Sequence, residues 1–161
     1  MSRSSPQFPV TVMMEQRPIH GSRWITNSWS ATGVVVGDHG GAGWREARKP
    51  DASGASEFLF SGLQLRLHLD ECESYYHNLL ADTPRLFVIT REEAETGRPQ
   101  PFQVTASFDE AHAYLEAEET VYEVPIPPEV YRAVEAFVLE HYAPEPRKKR
   151  KRENWHRGEK R

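Results

Sequence analysis

The sequence predicts an α+β protein: an antiparallel β-sheet or small β-barrel of five to seven strands with two C-terminal helices, followed by a disordered basic tail. Three observations carry that expectation. Short β-branched and aromatic runs recur between Gly- and Pro-rich breaks through the first two-thirds of the chain. Two later stretches, "SFDEAHAYLEA" and "PPEVYRAVEAFVLEHY", carry apolar residues at helical spacing. The end, "RKKRKRENWHRGEKR", has charge but no apolar period.

Each element has its own signal. "FPVTVMME", from Phe8 to Glu15, is apolar and β-branched and reads as the first strand. Pro18 and Gly21 place a turn after it. Trp24 to Val36 predicts two short strands, or one strand with an irregularity near Asn27 and Ser28. Gly37 to Ser56 is crowded with Gly, Ser, Ala and charge and reads as a flexible loop. Leu63, Leu65, Leu67 and Leu69 then alternate with Gln64, Arg66 and His68, the period-2 pattern of a half-buried strand.

Asp70 to Glu73 reads as a tight turn and Ser74 to Leu80 as a strand, because Tyr75 and Tyr76 suit one. Asp70 and Glu73 also have capping-box spacing, which favours a helix. Leu86 to Arg91 and Phe102 to Ala106 flank a turn centred on Gly97 and predict a hairpin. Ser107 and Glu110 make a capping box: the hydroxyl takes an orphan amide of the first turn while the carboxylate reaches back. Phe108, Ala111 and Leu115 share one face of the helix that follows. "TVYEVPIPP" is an extended connection, and Pro128 starts the last helix, whose stripe is Val130, Val134, Phe137 and Val138. Pro144 and Pro146 end it.

The 161 residues are expected to form one domain over 8–146, with a flexible Gly-rich loop at 37–56 and a basic low-complexity tail at 147–161. A domain of that size buries about two-thirds of its unfolded surface and needs no disulfide or metal to fold. The formal charge of −4 hides a division: residues 147–161 carry a net +7, which leaves −11 on the rest. An acidic body with a basic end is the reverse of a typical nucleic-acid-binding domain, whose positive charge lies on the folded face. Such a tail can also lie against its own body. No stretch of about 18 apolar residues occurs and the first residues lack a secretory core, so a cytoplasmic protein with no membrane span is expected.

The residue types that carry chemistry are scattered. Cys72 is the one cysteine and sits among Asp70, Glu71 and Glu73, whose charge disfavours a thiolate. Seven histidines (His20, His39, His68, His77, His112, His141 and His156) show no metal-ligand spacing. "GDHGGAGW" is glycine-rich, but the "REARKPDASG" after it offers no helix N-terminus to hold a phosphate. Glu92, Glu93 and Glu95 form a solvated run beside a turn. No catalytic residue, no cofactor and no metal are therefore expected, and the protein reads as a non-enzyme. Trp24, Trp29, Tyr75, Tyr76, Phe87 and Phe102 fall on or beside expected strands. An exposed aromatic sheet could stack bases or dock a partner. Filling a core short of other apolar residues is the favoured reading for this body.

The tail is the strongest compositional signal. Arg147, Lys148, Lys149, Arg150, Lys151 and Arg152 are consecutive, and Trp155 adds an apolar anchor. These are the expected partner-binding residues, fitted to an acidic protein surface or to nonspecific contact with nucleic acid. Specific base reading needs an ordered scaffold that a charge run lacks. A third, lesser expectation is a small-molecule carrier using the interior of a barrel.

Several stretches together, "FPVTVMMEQRPI", "RWITNSWSATGVV", "ESYYHNL", "PRLFVITRE", "VTASFDEA", "VPIPPEV" and "FVLEHYAPEPRKKRKRE", resemble the bacterial family called domain of unknown function 3305. The resemblance runs from about Phe8 to Glu153 and includes the basic end. Members of that family are typically encoded beside molybdenum-dependent formate dehydrogenase genes and their assembly factors. The resemblance therefore implies an accessory protein that helps assemble, mature or dock such a dehydrogenase, with a dehydrogenase subunit or assembly factor as its protein partner. It implies no catalytic residues.

Overall fold

The computed structural model describes residues 5–21 and 27–143. Among the described residues, seven strands and three α-helices follow one another: β1 (Gln7–Pro18), β2 (Asn27–Val36), β3 (Gly43–Arg48), β4 (Ser56–Arg66), α1 (Cys72–Leu80), β5 (Arg85–Glu92), β6 (Pro99–Thr105), α2 (Phe108–Glu116), β7 (Thr120–Pro125) and α3 (Pro128–His141). The strands form two antiparallel sheets, one ordered β2-β1-β4-β3 and the other β6-β5-β7. The protein is therefore α+β and antiparallel, as the sequence predicts. The strands divide between two sheets and do not close into a barrel, so the expected carrier site inside one has no counterpart.

β1 is the spine of the larger sheet. Val10, Val12 and Met14 alternate onto one face and are wholly buried, as the period of a strand requires. A bulge bends the strand pair where Val10 faces Leu63 but Val12 faces Phe60, so that Ser61 and Gly62 oppose Thr11 alone. Gly62 has a φ of +97°, the left-handed conformation such a bulge needs. Thr11, on the other face, is buried by a polar cluster rather than by apolar packing. Its hydroxyl donates to the Gly37 carbonyl at 2.8 Å and lies 2.9 Å from the Ser61 hydroxyl. Replacing Thr11 by Val should cost about 1–2 kcal/mol, read as a lower urea midpoint, because the Gly37 carbonyl loses its donor and the Ser61 hydroxyl and His39 amide lose an acceptor.

β2 and β3 are the opposite edges of the larger sheet, and the Trp29 and Trp44 rings they carry lean together with centroids 5.8 Å apart. The smaller sheet packs against the larger one, β6 beside β4 and β7 beside β2. Leu86, Val88, Val104 and Val124 join β1, β4, Tyr75 and the Val130, Val134, Phe137 and Val138 stripe of α3 in one shared core. That stripe is the one the sequence predicts, and Pro128 does stand at the first turn of α3.

Several elements differ from expectation. Ser74 to Leu80 is not a strand but part of α1, because Tyr75 and Tyr76 both face α3: Tyr75 meets Phe137 edge-to-face at 6.1 Å, and Tyr76 stacks on Tyr142 at 4.7 Å. Two side chains pointing the same way are neighbours on a helix, whereas a strand would send them to opposite faces. The segment 37–56 is not all loop. It contains the edge strand β3 and a turn held by Asp51, whose carboxylate accepts from the amides of Ser53 and Ala55. The irregularity in β2 falls at Thr32, which has no opposite number because Met13 pairs with Gly33 and Met14 with Ala31. "TVYEV" is extended as expected, and it pairs with β5 as an edge strand.

The capping box closes through a third residue. The Ser107 hydroxyl accepts from the Glu110 amide at 3.1 Å. The Glu110 carboxylate does not reach back to Ser107; it takes the Thr105 hydroxyl at 2.9 Å and the Gln103 amide at 3.0 Å. Thr105 in turn accepts the Ser107 amide at 3.0 Å, which leaves the carboxylate nothing to cap.

Candidate docking groove

Of the residues expected to bind a partner, Arg147, Lys148, Lys149, Arg150, Lys151, Arg152 and Trp155 lie outside the described residues, as does Trp24. The feature that the described residues add is a groove of about 380 Å³ where α1, α2, β5 and β7 meet. α1 is joined to its neighbours there by polar ties. The Asn78 side-chain amide donates to the carbonyls of Arg85 and Ala106 at 2.7 and 2.9 Å, and its oxygen accepts the Arg85 amide at 3.0 Å. The Ser74 hydroxyl accepts the Asp109 amide at 3.2 Å. Together these pin α1 to the start of β5, the end of β6 and the first turn of α2.

The groove is apolar inside and charged at its rim. Phe87 forms the floor, and Phe108 stands as a wall with its ring edge-to-face at 6.1 Å. Phe108 is 53% exposed and is backed by the His112 ring, stacked at 5.8 Å. Phe87 and Glu123 are cross-strand partners, so the carboxylate of Glu123 projects on the same face as the ring beside it. Asp109 adds a second carboxylate, while His77 and Arg85 line the α1 side. The sequence places Phe108, Ala111 and Leu115 on one face of α2; of the three only Ala111 is buried, and Leu115 is 49% exposed. The helix packs through Ala111, whose small side chain brings it close to the sheet and leaves the two larger residues outside.

The other clusters are accounted for by structure. Glu71 accepts the Ser107 hydroxyl and joins Glu110, Thr105 and Gln103 in a network that fixes the start of α2. Trp29, Trp44, Phe58 and Phe60 form a ring cluster packed against the core. Trp44 donates to the Gln100 side chain at 3.1 Å and carries the Arg98 guanidinium over its face at 4.7 Å, which ties the two sheets together. Of the described aromatics, Tyr75 and Phe87 are buried and Trp29 and Tyr76 pack half-buried against the core, in line with the favoured reading, while Phe102 is half-buried against Tyr114. Among the described residues, no group of three His, Cys, Asp or Glu is placed to hold a metal ion, and no helix is long and apolar enough to cross a membrane.

Cys72 is 5% exposed, and burial, aided by Asp70, pushes its thiol pKa up. Alkylation of the native protein at neutral pH should therefore be at least tenfold slower than in denaturant, a difference that mass spectrometry after a timed quench measures.

The protein is thus a two-sheet α+β protein with an aromatic groove beside its helices. It belongs to the family described as protein of unknown function (DUF3305), whose model matches residues 9–151 and so runs into the basic end. No curated protein and no solved structure matches the chain.

Proposed function

We propose that the protein is a non-enzymatic accessory protein that assists assembly or maturation of a molybdenum-dependent formate dehydrogenase. Membership in the family carries this reading, through the gene neighbourhood that the family resemblance implies. The charge division supports it: a tail of net +7 is drawn to an acidic client surface, and such attraction mainly raises the association rate. In this reading Arg147 to Arg152 supply the attraction, Trp155 an apolar contact, and the folded body the specific surface.

The test is formate dehydrogenase activity in the native organism with the gene deleted. A fall of tenfold or more is expected, restored by the wild-type gene and only in part by a version truncated after Pro146. Undiminished activity in the deletion strain would overturn the reading. The run of six basic residues favours a second reading, nonspecific nucleic-acid binding through the tail. Affinity for DNA would then fall steeply with salt and vanish on the same truncation; a flat salt response would exclude it.

A further inference from the structure

The aromatic groove and the tail are complementary in chemistry, and they lie within reach of one another. The groove offers two phenylalanine rings with the carboxylates of Asp109 and Glu123 among its lining, beside His77 and Arg85. The tail offers one tryptophan, Trp155, with Lys151 and Arg152 before it and Arg157 after it. An aromatic ring in an aromatic-walled cleft, flanked by ion pairs at the rim, is the pattern of a binding anchor. The bodies carrying these features have opposite net charge, −11 against +7. Attraction between them acts at close range, within a Debye length of about 8 Å at physiological salt.

The path of the chain makes the contact accessible. The described chain ends at Ala143, directly after Tyr142, and Tyr142 is stacked on Tyr76 of α1. The next residue along α1, His77, already lines the groove. To pass from the Tyr76 side to the groove the chain must cross one helix, about 10 Å wide. The twelve residues from Ala143 to Trp155 span up to about 40 Å when extended. A tether of that length sets an effective concentration on the order of 1 mM, so even a weak anchor is held.

We propose that the groove between α1 and α2 is the docking site of the chain's own C-terminal segment, with Trp155 between Phe87 and Phe108 and the flanking cations paired with Asp109 and Glu123. Docked, the segment covers the exposed face of Phe108 and withholds the tail from other anions. A more acidic surface competes it off and frees tail and groove together. This contact is a regulation of the protein by itself and does not depend on the identity of any client. Its failure would leave the accessory reading standing, because no client is in the sample.

The test uses the full chain labelled with 5-fluorotryptophan, which gives one fluorine resonance for each of its four tryptophans. Trp155→Phe assigns the resonance of interest, and a synthetic peptide of residues 147–161 gives its undocked position. The native resonance is expected to be displaced from the peptide's, and Phe108→Ala and Glu123→Lys are each expected to return it. Both sites are exposed, which spares the fold. From the other side, Trp155→Ala should shift the backbone amides of Phe87, Phe108 and Asp109, a change that needs no substitution in the folded body. A native resonance at the peptide position would overturn the proposal. So would a displaced resonance that ignores both groove substitutions, or one that reverts on tenfold dilution, since it would then sit elsewhere or in a second copy.

Discussion

Replacing Tyr75 by Ala is expected to destabilise the protein by about 3–5 kcal/mol, enough to remove much of the stability of an ordinary domain. The residue is 0% exposed at the meeting of α1, α3 and both sheets, and its ring packs edge-to-face on Phe137. Truncation would leave a cavity the size of a phenol ring, walled by groups that three separate elements hold in place. Tyr75→Phe separates the ring from the hydroxyl. The hydroxyl accepts the His68 amide at 3.1 Å, and losing that acceptor should cost about 1 kcal/mol. Burial pushes the Tyr75 pKa well above its ordinary value, so the phenol should ionise only when the chain unfolds. Urea titrations of both variants, with ultraviolet titration of the native phenols, check all three expectations. A loss under 1 kcal/mol for Tyr75→Ala would mean that α1 does not close the core.

That helix shows what the sequence holds and what it conceals. Cys72, Tyr75, Tyr76 and Leu79 stand at i, i+3, i+4 and i+7, the stripe of an amphipathic helix, and in the structure they face the core and α3. The stripe is obscured by the β propensity of adjacent tyrosines, a preference that tertiary packing readily overrides. β3 is hidden for a different reason. As an edge strand it turns only Trp44 inward and exposes Arg45, Glu46, Ala47 and Arg48, so its sequence has the composition of a loop. α3 and the β5–β6 hairpin are legible because burial on regular faces writes a period into the residues.

The groove has no such period. Phe108 belongs to a stripe that looks destined for the interior, and its exposure follows from how closely Ala111 lets the helix approach the sheet. Phe87 appears as one member of the apolar run in β5, whose Leu86 and Val88 face the shared core. Nothing local marks the two rings as parts of one cleft, since β6 separates them in the sequence and only the packing of α2 brings them together. The tail is the converse case: its charge is plain in the sequence, while its place lies beyond the described residues.

Asn78→Ala is expected to cost about 2–4 kcal/mol, more than its modest burial implies. One amide group serves three backbone partners, Arg85 twice and Ala106 once, and each hydrogen bond contributes about 0.5–1.5 kcal/mol. Water reaches the groove and repays part of that loss, so the lower half of the range applies if the carbonyls become solvated. Asn78→Asp discriminates further. A carboxylate still accepts the Arg85 amide, but it places a second acceptor against two carbonyls that require a donor. Its proton is therefore held more tightly in the folded state than in the unfolded one. A folded pKa raised above the unfolded value means that the aspartate variant approaches wild-type stability as pH falls towards about 4 and loses it as pH rises to 7. Wild type and Asn78→Ala should show no such difference from each other. Because the same residue sets the spacing of α1 from β5, both variants should also alter the groove, and the Phe87 and Phe108 resonances report that change. A stable Asn78→Ala protein with those resonances unmoved would mean that the helices are positioned by their apolar faces alone.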